Sequence, residues 1–250
     1  MSVHTRTYRV VDGRRIEGSC RPVFICNGGT YYLADLLVDE LLRARGSVEL
    51  VTFDGVAPVA SLIPALWEPA PGPDRAAGSH GVRGQLLGHL ARANPQWSSV
   101  AAGSHALAIV RGPEGYVSPS WYPAKAAHGR VVPTWNYVAV HLTGELVVHD
   151  DPVWLRGVVE RLTRRHEEGR AEPWHLDDAP DRFLAGSLRA IVGVELSVTR
   201  IEAKAQLSQN RDRADADGVR AGLRADGGPA ADALADAMDA WAAPATDDGA

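Results

Sequence analysis

Between Tyr31 and Arg45 the apolar residues Leu33, Leu36, Leu37 and Leu41 recur at intervals of three and four, while Asp35, Asp39, Glu40 and Arg43 face elsewhere. That spacing predicts an amphipathic helix, ended by Gly46. The period then shortens. Residues 47–53 and 58–67 are apolar, partly β-branched, and flank Asp54-Gly55, which predicts a β-hairpin. Short apolar runs at 85–91, 104–111, 115–120 and 135–148, the last bending near Gly144, follow in quick succession. Strands this close together predict an antiparallel barrel or sandwich rather than alternating β-α-β units. Asp151 then reads as a helix N-cap with Pro152 in first position, an i,i+4 pair from Glu160 to Arg164, and Gly169 as the stop. A short helix at 180–190 and a long closing strand at 192–207 complete the pattern.

The ends of the chain carry less signal. Residues 1–30 offer one short strand at 22–25, and 68–80 is a Pro-, Gly- and Ala-rich loop. Residues 212–224 are polar and helix-compatible, and 229–242 place Leu234, Met238 and Trp241 on one stripe of a further helix. The expected organisation is an N-terminal extension over 1–46, a cofactor-binding barrel over 47–225, and an acidic, partly disordered tail over 226–250.

Composition narrows the class. The chain has 250 residues, 45% of them hydrophobic and 23% charged, which matches an ordinary globular protein. Its net charge of −5 is the wrong sign for a surface that grips nucleic acid throughout. Cys20 and Cys26 are the only cysteines, too few for a disulfide framework or a Cys-based zinc site, so a reducing cytoplasm is the expected location. No apolar run is long enough to span a membrane, and no export signal is read at the N-terminus. Of 26 basic residues only Lys125 and Lys204 are lysine, and three of the four asparagines, Asn94, Asn136 and Asn210, fall in the motifs below. Where Arg, Asp or Gly has replaced these residue types almost everywhere else, each survivor marks a position of interest.

Three runs concentrate unusual residues. Gly88 to Trp97 reads GHLARANPQW and sets His89 near the end of a strand. There one ring nitrogen can face a metal while a carbonyl or carboxylate fixes the other; a core histidine satisfied by hydrogen bonds is the competing reading. Arg92 suits a phosphate or propionate. The second run joins YVSPSWY (116–122), Lys125 and VPTWNYVAVH (132–141). Its Tyr116, Trp121 and Trp135, flanked by hydroxyl residues such as Ser118, can wall a flat cofactor or fill a core. Lys125 sits in a Gly-containing stretch that reads as a loop. In the third run, KAQLSQNR (204–211), the side chains of Lys204, Ser208 and Arg211 can bind phosphate or carboxylate, or cap the next helix. No zinc spacing, nucleophile elbow or phosphate-cradling glycine loop is present.

Together GHLARANPQW, YVSPSWY, VPTWNYVAVH and LSQNR resemble the PaiB family over about residues 48–223. That family is described as FMN-binding negative transcriptional regulators, and it also contains haem-dependent piperazate synthases. The resemblance implies a mainly β (α+β) fold: a split β-barrel of the FMN-binding, pyridoxamine-phosphate-oxidase type with peripheral helices. It implies a homodimer with cofactor sites at the subunit interface. The cofactor is expected to be haem b, with FMN as the alternative. In the haem reading His89 is the axial ligand, with His80, His105 and His141 as rivals. Arg92 and Lys204 hold propionates or the substrate carboxylate, and Ser118, Trp121, Trp135, Ser208 and Arg211 complete the cofactor surroundings. Lys125 is the candidate base and Tyr116 its rival. The substrate is then an amino acid, N5-hydroxyornithine, cyclised in antibiotic biosynthesis; nucleic acid is a partner only in the FMN-regulator reading. Three departures favour haem. The N-terminal segment differs through Arg45, Leu62 stands where relatives carry a histidine, and Gln206 replaces a second basic residue, which weakens a phosphate clamp more than a haem site.

Overall fold

The computed structural model describes residues 8–11, 14–17, 35–70, 82–101 and 103–240. In chain order its elements are β1 (Tyr8–Val11), β2 (Arg14–Glu17), α1 (Asp35–Ala44), β3 (Ser47–Phe53), β4 (Pro58–Pro69), β5 (Gly84–Ala91), α2 (Gln96–Ser99), β6 (His105–Val117), α3 (Ala124–His128), β7 (Thr134–His149), α4 (Pro152–Glu167), α5 (Asp181–Arg189), β8 (Ile191–Gln206), α6 (Arg213–Asp226) and α7 (Pro229–Ala240). The chain divides into two compact units, one of Met1–Leu33, Arg111–Ala139 and Ala203–Ala250, the other of Ala34–Val110 and Val140–Glu202. The barrel closes in the strand order β3-β4-β5-β8-β7-β6. This is the mainly β split barrel with peripheral helices that the motifs imply.

In the barrel unit, period-two patterning fixes which face is inside. Strand β3 alternates Val48, Leu50 and Thr52 buried against less buried neighbours. Its hairpin partner β4 pairs from Ser47↔Pro64 to Phe53↔Pro58. At the turn, Asp54 Oδ1 accepts the N–H groups of Val56 and Ala57 at 2.8 Å each, and Gly55 takes φ +95°. These bonds favour the ionised carboxylate and hold Asp54 below its ordinary range. Strands β4 and β5 bury residues on both faces because α4 covers the outer one: Leu66 and Leu87 pack with Val158, Leu162 and Trp154. Leu155 of α4 joins Leu184 and Leu188 of α5 in the adjoining cluster. Helix α4 starts as expected, with Asp151 accepting from Val153 and Trp154 N–H. Its expected Glu160–Arg164 pair does not form; Arg161 reaches Glu68 instead. Helix α1 is tied to β4 by a buried bond, Trp67 Nε1 donating to Asp39 Oδ1 at 2.7 Å.

The other unit holds the hairpin β1–β2, paired from Tyr8↔Glu17 to Val11↔Arg14, and helices α3, α6 and α7. Glycines at 218 and 222 let α6 approach the 3-10 turn Pro119–Trp121: a Cβ at Gly222 would lie 2.3 Å from Trp121 Cδ2. Leu234, Ala235 and Met238 of α7 are buried, so residues 229–240 of the expected tail are packed helix. Two details differ from the sequence pattern. The runs at 104–111 and 115–120 are one strand, β6, and Lys125 lies on the short helix α3, closed by Gly129 at φ +69°. The expected strand at 22–25, the loop at 71–80 with His80, Trp241 and the remaining tail lie outside the described residues.

Candidate functional site

Most of GHLARANPQW is spent on the barrel. Gln96 is fully buried, its Nε2 donating to Leu50 O, Thr52 Oγ1 and Val59 O at 3.0–3.1 Å, so it pins the β3–β4 hairpin from outside the ladder. Asn94 donates to Ser61 Oγ at 2.8 Å and accepts Gln96 N–H at 2.9 Å, and Trp97 Nε1 donates to Arg92 O at 2.9 Å. The Arg92 guanidinium grips Asp150, and also donates to Arg189 O at 2.8 Å and Ile191 O at 3.1 Å. The ion pair raises Arg92 and lowers Asp150. A guanidinium engaged through all three nitrogens has little left for a propionate.

His89 is the exception. It shares a face of β5 with Leu87, the face that packs on α4, and its ladder partner is Gly193. A Cβ at Gly193 would meet Trp154 Cζ3 at 2.2 Å, so Trp154 covers that position. The Trp154 ring stacks on His149 at 4.0 Å between centroids, and His149 Nε2 lies 2.9 Å from Glu195 Oε2. His89 itself is half-buried, and its buried Nδ1 has no hydrogen-bond partner. The expected carbonyl or carboxylate behind the ring is therefore absent. Burial alone pushes its pKa below 6.5, which keeps the imidazole neutral and its lone pair available. A half-buried imidazole whose Nδ1 has no partner among the described residues could serve as a ligand to a haem iron. The rivals His105 and His141 are exposed. Among the described residues no group of three or more His, Cys, Asp and Glu gathers to hold a metal ion.

Eight of the expected site residues fall in the other unit. Ser208 is buried and held at φ +63°; its hydroxyl accepts from Asn136 Nδ2 at 3.0 Å and donates to Asn136 Oδ1 at 3.3 Å. It is thus a structural contact, not a free cofactor donor. Trp121 has one face against α6, and Ser118 caps the 3-10 turn by accepting Ser120 N–H. The remaining residues are accessible. Tyr116 and Trp135 are half exposed, Trp135 Nε1 donating to Glu114 Oε2 at 3.3 Å. Lys125 donates to Ser120 Oγ at 3.0 Å, and Lys204 Nζ lies 5.3 Å from the centre of the Tyr137 ring. Arg211 lies 4.7 Å over the ring of the buried Tyr122. Burial raises the Tyr122 pKa, the Arg211 charge pulling it back. Tyr122 and Asp215, which accepts Ala124 N–H at 3.0 Å, are the polar residues here that motif reading passed over. Both lie inside or beside the quoted runs, where their burial gave no pattern of its own.

Residues 34–200 match the family described as "Putative FMN-binding domain". The chain belongs to this FMN-binding family. Residues 6–58 also match a domain of unknown function, DUF7638. A curated relative is "Protease synthase and sporulation protein PAI 2" of Bacillus subtilis, 34% identical over 157 residues, 62% of this chain and 72% of that protein. An uncharacterised protein of Aspergillus fumigatus is 31% identical over 196 residues, 66% of this chain and 75% of its own. Among solved structures, the FAD and haem binding protein of Mycobacterium smegmatis aligns with a TM-score of 0.48 and 20% identity, over 79% of this chain and 80% of that one.

Proposed function

We propose that the chain is a haem-dependent piperazate synthase: a homodimeric cyclase that converts N5-hydroxyornithine to piperazate with loss of water. The observation that carries this reading is His89, whose buried Nδ1 has no partner among the described residues and which takes no part in the scaffolding contacts of its motif. When bound, haem supplies a Lewis acid that polarises the N-hydroxy group of the substrate. The balance is internal to the substrate: the α-amine lone pair forms the N–N bond, the N–O bond leaves with its electron pair, and the amine proton joins the departing oxygen as water. No external oxidant or reductant is needed.

The protein's own residues supply ligation, charge and proton transfer. His89 would hold the iron. Lys204, which makes no ion pair among the described residues, is proposed as the partner of an anionic group; Arg92 is committed to Asp150. Lys125 on α3, whose Nζ donates to Ser120 Oγ, is proposed as a base, with Tyr116 as its rival. A second reading, an FMN-binding regulator, is favoured by the family's description and by the relationship to PAI 2.

The absorption spectrum of the purified protein separates them. A Soret band lost in His89→Ala is expected; a flavin spectrum, or stoichiometric haem retained in His89→Ala, overturns the assignment. Incubation of the haem-loaded protein with N5-hydroxyornithine is expected to give a product one water lighter.

A further inference from the structure

A cavity of about 480 Å³ opens in the barrel unit, lined by none of the residues assigned above. Its apolar wall is Leu66 and Trp67 of β4, both buried, and the indole is fixed by its bond to Asp39. Arg43, from the last turn of α1, and Arg161, Arg164 and Arg165, from α4, surround that wall. The carboxylates of Glu68, Glu167 and Glu168 also line it. Glu68 is taken by Arg161, and Glu167 by Arg170 and the Trp174 N–H. Among the described residues Arg43, Arg164 and Arg165 make no ion pair, which leaves three guanidinium charges against Glu168.

Basic residues at a helix C-terminus ordinarily serve only to balance the helix dipole. That account covers Arg164 in solvent. It does not account for Arg165, which is partly buried and faces the like charge of Arg43 from another helix; desolvation and Arg43 together lower its pKa. An anion bound between Arg43 and Arg165 would relieve the like-charge repulsion at the cavity. The surplus stays positive even after about half a negative charge from each of the two helix ends. A volume of this size lies within the range of small-ligand pockets.

We propose that this cavity is a binding site for a small organic phosphate or carboxylate, its oxyanion held by Arg43 and Arg165 and its apolar body resting on Leu66 and Trp67. The guanidinium fork suits either headgroup, and the wall requires an apolar substituent. This inference does not depend on the haem or flavin assignment.

Phenyl phosphate titrated calorimetrically into the full-length protein tests it, with inorganic phosphate and benzoate alongside. Phenyl phosphate or benzoate is expected to bind saturably, and phenyl phosphate more tightly than inorganic phosphate. Arg165→Gln is expected to weaken binding by about tenfold or more, the loss of one charge-assisted contact. Arg200→Gln, at a pair with Glu202 outside the cavity, is expected to leave it unchanged. Thermal unfolding without ligand checks the variants: Arg165→Gln, relieved of Arg43, is expected to melt no lower than wild type. Absence of saturable binding by either aromatic anion, equal affinity in Arg165→Gln, or inorganic phosphate binding as tightly as phenyl phosphate overturns the proposal.

Discussion

Asn136 and Ser208 satisfy each other in a buried position, and neither can be replaced without stranding its partner. Asn136→Ala is expected to cost about 1–3 kcal/mol, the penalty for a buried polar group left unpaired. The double variant with Ser208→Ala should cost less than the sum of the two singles, a coupling that urea denaturation would measure. The scarcity of asparagine in the sequence marked this position and Asn94 correctly as special, but for a structural reason. Both use one amide to donate and accept at once, which a carboxylate cannot do. The place of His89 near a strand end singled it out as a candidate ligand; its unpartnered Nδ1 could not be read from the sequence, because that depends on what packs behind β5. Its titration gives a second expectation. With its folded pKa lowered by burial, the unfolded chain binds the extra proton, so stability is full above the ordinary value of 6.5 and falls as pH drops below it. His89→Leu should flatten that acid-side slope in denaturation curves recorded against pH; an unchanged slope would place the effect elsewhere.

At the scale of elements, the strands and helices were legible wherever period and punctuation agreed, as at Asp54-Gly55 and Asp151-Pro152. The sequence misled where glycine serves packing instead of turning. Gly112-Pro113-Glu114-Gly115 reads as a turn, yet β6 runs straight through it, because a Cβ at Gly112 would lie 2.7 Å from Val138 Cβ. The same logic governs Gly193 in β8, the close neighbour of Trp154 on α4. Gly193→Ala is expected to cost about 1–3 kcal/mol by overpacking and to loosen the Trp154–His149 stack, read as a drop in melting temperature with a change in near-ultraviolet circular dichroism. Full retention of both signals would mean that α4 can shift to accommodate the methyl group. Contacts such as Gln96 on the β3–β4 hairpin could not be read from spacing at all, since they join residues more than 35 positions apart.

For the molecule as a whole, the balance of 26 basic and 31 acidic residues bears directly on the choice between a cyclase and a DNA-binding regulator. Duplex binding draws its affinity from phosphate neutralisation and counterion release, so a regulator needs a face on which cations outnumber acids. Here many arginines already carry acidic partners: Arg92 with Asp150, Arg156 with Asp177, Arg200 with Glu202, and Arg224 with Asp236 and Asp239. Engaging phosphates would require those pairs to be broken, which reduces the net gain from each contact. The unpaired arginines that do cluster line a cavity with an apolar wall, a shape that suits a small anion and not a duplex backbone. The expected outcome of a gel-shift assay with the promoter of the chain's own gene is therefore no specific complex, and only weak binding that disappears between 50 and about 200 mM salt. A specific complex that survives physiological salt, with a steep dependence on salt concentration, would establish a phosphate-contacting surface and return the regulator reading to first place.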